Sequence, residues 1–436
     1  MKELIKTILN EWKEKKLPEI LERKIDISVY TKSKIPKIIV ITGFRRVGKT
    51  YLMLYLIKNL LEKEKKNKEN ILYLNLEDER IPSKTEFLTL LIPTAKEIFK
   101  KKIEFLFLDE IQNIPYWSKW LRRIYDNENM RIFVSGSSSK MSSKEIPTEL
   151  RGRFLEVKVF PLSFKEFLNF KNLKFDIKTI NYSLNKKAEL LKALNEYIEY
   201  GSLPEIVLSK EEKKIEIAHS YYQTVVSRDI IERYKVKNEE VLKALLRLLL
   251  NSTKYTISKL YNSLKSLNYE IGKTTLQHYI SYIENSYFIF SIPIFSYKIK
   301  DQMQYARKVY FIDNIFPSKF STKFSKNYGR LYENAVAVEL IGKKKEIYYW
   351  EDSLKEEVDF IIKKGMKINQ LIQVCYDINN IEAKKREIRA LIKASKELKC
   401  KNLIIITEDY EKEEKVEWFG TNRKIKFLPL WKYLLE

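Results

Sequence analysis

Two groups of side chains in this 436-residue chain have the types and spacing for phosphate chemistry: Gly48-Lys49-Thr50, and the adjacent carboxylates Asp109-Glu110. A lysine closing a glycine-bounded loop reaches β- and γ-phosphate oxygens, while a threonine hydroxyl and an aspartate can share Mg²⁺. A glutamate beside that aspartate can polarise the water that attacks the γ-phosphate. The cofactors this chemistry calls for are ATP and Mg²⁺.

Such groups work only if the backbone brings them together. Ile38-Ile39-Val40-Ile41 reads as a short buried strand that delivers the chain to a loop formed by Gly43, Phe44, Arg45, Arg46, Val47, Gly48, Lys49, Thr50 and Tyr51. The two glycines relieve crowding so that backbone N–H groups can curl around anionic oxygens. A helix opening near Thr50 aims its positive dipole end at the same charge. The apolar run Ile103–Leu108 reads as a second strand, ending in Asp109 and Glu110. In a parallel sheet the carboxyl ends of strands converge beside the phosphate loop, which brings Asp109 within reach of the metal.

Two further groups extend the site. The strand Arg131–Val134 ends in Ser135-Gly136-Ser137, where Ser135 or Ser137 is expected between the carboxylates and the γ-phosphate as a sensor, against the alternative of simple turn chemistry. Arg151 and Arg153 flank Gly152. An arginine delivered to the γ-phosphate from a neighbouring subunit or a lid accelerates phosphoryl transfer; the alternative is an ordinary surface ion pair.

Residues 240–300 change character. An amphipathic helix at 241–250, a second helix capped by Thr256, and a third opening at Lys273-Thr274-Thr275 precede the apolar stretch Tyr287–Phe295, a pattern that fits a winged helix-turn-helix. Its third helix would offer Lys273, Thr274, Thr275, Gln277 and His278 to a DNA groove, although winged helices also dock proteins.

Gly-Phe-Arg-Arg-Val-Gly-Lys-Thr at 43–50, Leu-Asp-Glu-Ile-Gln at 108–112, Ser-Gly-Ser at 135–137, Leu-Arg-Gly-Arg at 150–153 and Pro-Leu-Ser-Phe-Lys-Glu-Phe at 161–167 together resemble the prokaryotic, archaeal-type AAA+ ATPases with a doubled arginine in the phosphate loop. The resemblance implies the roles given above for Lys49, Thr50, Asp109 and Glu110, and a helical lid that includes Tyr200–Glu205 and Ser227–Ile231. The role of Arg45 and Arg46 stays open between touching phosphate and pairing with an acid that shapes the loop.

The same family carries a C-terminal Asp/Glu-x-Lys nuclease fold, in which a helix glutamate, a strand aspartate and a Glu-x-Lys on the next strand hold Mg²⁺ and activate water. Glu333 and Asp359 match that pattern, but Gln373 stands in place of the glutamate and Cys375 in place of the lysine. A metal ligand and a catalytic cation are lost, so this domain is expected to bind or dock without cutting.

The expected architecture is therefore α/β, with an N-terminal helical segment at 1–35 and a P-loop parallel-sheet core at 36–165. A helical lid at 166–238, a winged helix-turn-helix at 239–300 and an inactive restriction-endonuclease-like α/β domain at 301–436 follow. The expected function is Mg²⁺-dependent ATP hydrolysis that moves a DNA-facing region; the alternative is a nucleotide-gated DNA- or protein-binding switch with little turnover.

Composition sets the remaining expectations. The net charge of +24, from 82 Lys plus Arg against 58 Asp plus Glu, is densest in residues 1–50 and 251–350 and tilts the partner toward DNA. Cys375 and Cys400 form no disulfide framework, and with His219 and His278 as the two imidazoles a zinc site is not expected. Met1 to Lys16 lacks the apolar middle of a secretory leader, and the apolar 287–295 stretch is too short to span a bilayer, so a cytoplasmic location without membrane contact is expected. Homo-oligomer formation would follow from an arginine supplied in trans.

Overall fold

The computed structural model describes the chain except residues 24, 26–36, 137–147, 178, 323–326 and 419. It divides into two compact units, Met1–Phe160 and Pro161–Glu436.

The first unit is built on five strands, β1 (Ile38–Gly43), β2 (Ile71–Asn75), β3 (Phe105–Asp109), β4 (Arg131–Ser135) and β5 (Phe154–Val159), in the order β2-β3-β4-β1-β5. Every pair is parallel. β1 and β3 are buried along their whole length, as strands covered by helices on both faces must be, which is why they read as unbroken apolar runs. Phe107 and Phe133 stack across the β3–β4 pair, their ring centroids 4.6 Å apart.

The expected N-terminal helical segment is shorter in the structure. The helix Lys2–Glu14 ends as Lys15 turns extended, just before Pro18, and residues 26–36 lie outside the described part. It buries Ile5, Ile8, Leu9 and Trp12, and the Trp12 indole donates to the carbonyl of Ile71 on β2 at 2.8 Å.

The second unit begins with helices. Ser163 caps the helix Phe164–Phe170 in a reciprocal pair with Glu166, and a long helix, Leu184–Tyr200, follows. The segment expected as a lid has its apolar face built into the second unit's own core, where Phe164, Phe167 and Leu194 share a cluster with Tyr332, Leu428 and Trp431. The run Val225–Glu232 is π-helical.

Next come the helices Glu239–Leu250, Ile257–Ser266 and Lys273–Asn285, with β6 (Lys254–Tyr255), β7 (Ile289–Ile292) and β8 (Arg307–Phe311) forming an antiparallel sheet in the order β6-β8-β7. Thr256 caps the second helix, accepting the Lys259 N–H at 3.0 Å. The sheet requires β8, so this segment runs to Phe311 and not to the expected boundary at 300. Within 287–295, β7 is followed by Ile294, which bridges to Tyr349 of the following sheet.

That sheet comprises β9 (Glu346–Glu351), β10 (Glu357–Lys364), β11 (Lys367–Val374), β12 (Leu403–Thr407), β13 (Lys412–Trp418) and β14 (Thr421–Pro429), ordered β13-β14-β12-β11-β10-β9. The β11–β12 and β12–β14 pairs are parallel and the others antiparallel. The helices Tyr328–Gly342 and Ile381–Glu397 pack against it. Cys375 and Cys400 are buried thiols, and burial pushes the Cys375 thiol up to about 12. Among the described residues, no helix is long and apolar enough to cross a membrane.

Candidate nucleotide site and C-terminal carboxylate cluster

The loop after β1 is shaped by three residues with positive φ: Gly43, Arg46 and Gly48. At Gly43 glycine is obligatory, because a β-carbon there would stand 2.3 Å from the Val159 carbonyl oxygen. Gly48 is the N-cap of the helix Lys49–Glu62, whose first amides open toward the loop. Phe44 and Val47 are fully buried and pin the loop from beneath, while Tyr51 lies exposed on the first helical turn.

Lys49 is buried, and its ammonium donates to the carbonyls of Gly43 and Phe44 at 3.3 Å each while standing 4.0 Å from Glu110 Oε1. The register that pairs Leu108 of β3 with Val134 of β4, and Ile41 of β1 with Ser135, sets Asp109, Ser135 and the loop side by side at the sheet's carboxyl edge. Asp109 is fully buried. It accepts from the Ser135 hydroxyl, from the Tyr73 phenol at 3.3 Å and from the Thr50 side chain. Burial pushes the Asp109 carboxyl up, against the Ser135 and Thr50 hydrogen bonds.

Asp109 and the Thr50 hydroxyl form an all-oxygen donor pair of the kind that holds Mg²⁺, so the residues fit that ion. Ser135 also accepts the Glu110 N–H at 3.0 Å and thus touches both carboxylate residues. Ser137 lies outside the described residues. Glu110 has φ of 54°, in the left-handed region, and its carboxylate accepts from the Gln112 amide.

The two loop arginines separate. Arg45 stands 3.8 Å from Glu77, the acid just beyond β2, and Glu77 is itself pushed up by burial and by Glu110. Arg46 is exposed. Of the alternatives for this pair, Arg45 pairs with an acid.

Arg151 and Arg153 lie elsewhere. β5 pairs with β1 so that Phe154 faces Ile38 and Val159 faces Gly43, which places the Arg151–Arg153 turn at the amino ends of these strands. The phosphate loop leaves their carboxyl ends, roughly 17 Å away along a six-residue strand. Arg153 pairs with Asp126 at 3.3 Å, and Arg151 is exposed. The chain does not bring either arginine to its own loop.

Sequence reasoning missed Arg23. This buried side chain donates to the carbonyl of Val47, inside the loop, at 3.0 Å and to that of Phe160 at 2.9 Å. One basic residue in a lysine-rich segment carries no motif to mark it.

In the second unit, Lys273, Thr274, Thr275, Gln277 and His278 all lie on the exposed face of their helix, opposite buried Leu276, Tyr279, Ile280 and Ile283. Farther on, Glu333 from the helix Tyr328–Gly342 and Asp359 from β10 do meet, joined by Glu357, which sequence reasoning also missed. Gln373 lies beside them with both ends of its carboxamide engaged: Oε1 accepts the Asp359 N–H at 3.1 Å, and Nε2 donates to Glu387. The Cys375 thiol is directed to the Asp377 carbonyl at 3.7 Å.

Residues 36–168 match the family model described as an AAA domain, 191–315 a domain of unknown function (DUF8612) and 328–433 a domain of unknown function (DUF4143). The chain is 40% identical to the uncharacterized protein MJ1544 of Methanocaldococcus jannaschii, over 98% of this chain and 94% of that one. An uncharacterized Haemophilus influenzae protein is 30% identical, over 78% of this chain and 82% of its own length. Among solved structures, the Walker-type ATPase PABY2304 of Pyrococcus abyssi aligns with a TM-score of 0.46 and 13% identity, covering 69% of this chain and 95% of that one.

Proposed function

The chain belongs to the family of the M. jannaschii protein MJ1544 and carries an AAA domain, and from that premise we propose that it binds ATP with Mg²⁺ and hydrolyses it. Nucleotide state would then move a DNA-binding winged-helix and nuclease-like region. The observation that carries this reading is the convergence of Lys49, Thr50, Asp109, Glu110 and Ser135 at the carboxyl edge of β1, β3 and β4.

Lys49 turns from the loop carbonyls to the β- and γ-phosphates. Thr50 and Asp109 hold Mg²⁺, which when bound neutralises charge developing on the phosphate oxygens. Glu110 orients and polarises the attacking water, and Ser135, bonded to both carboxylate residues, registers loss of the γ-phosphate. The order of three helices and an antiparallel sheet supports a winged helix, and the exposed polar face at Lys273–His278 supports nucleic-acid contact. The C-terminal domain binds or docks and does not cut, since Gln373 and Cys375 supply neither the missing ligand nor the missing cation.

The test is steady-state phosphate release. Lys49→Ala should abolish it, and Glu110→Gln should retain nucleotide binding while turnover falls about 10²-fold or more. Wild-type rates in both variants would overturn the proposal. The nucleotide-gated switch has one observation in its favour: the Glu110 carboxylate already accepts from the Gln112 amide, which occupies an oxygen that a catalytic water would need. ATP-dependent retention of DNA with negligible phosphate release would select that reading.

A further inference from the structure

We infer that Lys308 is the resident cation of the C-terminal carboxylate cluster, and that the cluster takes no divalent metal while Lys308 is in place. This assignment stands independently of the ATPase reading.

Glu333, Glu357 and Asp359 bring one carboxylate oxygen each to within 4.8 Å of one another in a largely buried setting, and that much negative charge requires a cation. The chain supplies it from β8. The Lys308 ammonium, 2% exposed, lies 2.7 Å from Glu333 Oε1, 2.5 Å from Glu357 Oε1 and 2.7 Å from Asp359 Oδ1. An ammonium has three N–H donors, and here all three have carboxylate acceptors.

The rest of each acid is also committed. Tyr310 donates to Glu333 at 2.5 Å, the Val374 N–H donates to Asp359 Oδ2 at 2.8 Å, and Lys254 of β6 pairs with Glu357 and Glu351. A Mg²⁺ ion would need oxygens at about 2.0–2.1 Å around the point the ammonium occupies. Gln373, which would be the further ligand, has spent its carboxamide on Asp359 and Glu387.

Lys308 has no easy way out. β8 is the central strand of its sheet and pairs Lys308 with both Lys254 and Ile292, so an expelled ammonium would be a buried charge without its acceptors. The residues present therefore do not fit the metal that a nuclease-like fold implies. They fit a tethered ammonium that joins the β6-β8-β7 sheet to the sheet containing β10.

The experiment is a Mn²⁺ titration of the full chain without nucleotide, with free Mn²⁺ read by electron paramagnetic resonance. Wild type and Asp359→Asn should take up the same amount of Mn²⁺. Lys308→Met, which keeps the length and removes the charge, should bind one Mn²⁺ per chain more than wild type at the same free Mn²⁺ concentration. That gain should vanish in Lys308→Met combined with Asp359→Asn. Mn²⁺ bound by wild type and lost in Asp359→Asn would overturn the assignment, as would a folded Lys308→Met chain with no gain. Should Lys308→Met not fold with or without Mn²⁺, wild type compared with Asp359→Asn and Glu333→Gln decides: equal uptake in all three supports Lys308 as the cation, and loss in either variant overturns it.

Discussion

The Asp313 carboxylate fills the space beside Gly201 so completely that a β-carbon on that glycine would stand 1.6 Å from Asp313 Oδ1. The same carboxylate accepts the Ser202 N–H at 2.7 Å, the Ser202 hydroxyl at 3.2 Å and the Ile315 N–H at 3.0 Å. A buried acid thus ties the turn after the helix Leu184–Tyr200 to the segment that follows β8. Asn314 adds a second tie through its amide, which donates to the carbonyls of Ile198 and Leu331.

Gly201→Ala should be severely destabilising. Gly201 has φ of 75° and ψ of −161°, a region that non-glycine residues enter at a cost of about 1–3 kcal/mol, and the steric conflict with Asp313 adds to it. The expected outcome is a loss of about 3 kcal/mol or more, or failure to fold, read by thermal unfolding. An alanine chain that melts with wild type would refute the account.

Asp313 should make stability depend on pH in a defined direction. Burial raises its carboxyl to about 6, despite hydrogen bonds from Ile315 and Ser202 that oppose the rise. A folded-state value above the unfolded one means the contribution is fully present below about pH 4 and is lost as pH rises through 6. The loss amounts to at most about 3 kcal/mol. Relative to Asp313→Asn, wild type should therefore lose about 2–3 kcal/mol between pH 4 and pH 7 in urea unfolding. A difference between the two proteins that stays constant across that interval would count against it.

Much of the first unit was legible in the chain. Unbroken β-branched runs such as Ile38–Ile41 mark parallel strands because both faces are buried, and glycine spacing marks the loop because only glycine survives at Gly43. Asp109 and Ser135 were found because strand ends in a parallel sheet converge. What stayed hidden depends on contacts between residues far apart in sequence. Lys308 looks like any other lysine in a lysine-rich chain until β8 is set against β10, and Asp313 meets Ser202 across 111 residues. The boundary near 300 was misplaced because the short β8 completes its sheet only after an intervening loop and helix.

Arg23→Ala should weaken nucleotide binding without touching the nucleotide. The guanidinium fixes the Val47 carbonyl inside the loop, and hydrogen bonds from a charged donor contribute about 1.5–3 kcal/mol each. The expected loss is about 10- to 100-fold in ATP affinity by calorimetry. Arg23→Lys, with one compact donor group, should recover part of it. Equal affinities in all three chains would show that the loop holds its shape without this clamp.

The β1–β5 register places Arg151 and Arg153 at the end of the sheet opposite the phosphate loop. An arginine so placed can reach a γ-phosphate only in another copy of the chain. The two are not equivalent: Asp126 already neutralises Arg153, whereas among the described residues the Arg151 guanidinium has no ion-pair partner. Arg151→Ala should therefore reduce turnover about 10³-fold, the scale of an arginine finger, with nucleotide binding preserved. Arg153→Ala should have a smaller effect. A finger supplied by one copy to the loop of another predicts that mixing Arg151→Ala with Lys49→Ala restores part of the activity that each lacks alone, measured as phosphate release at fixed total protein. Mixed samples no more active than the sum of their components, with Arg151→Ala alone at wild-type rates, would remove Arg151 from the reaction.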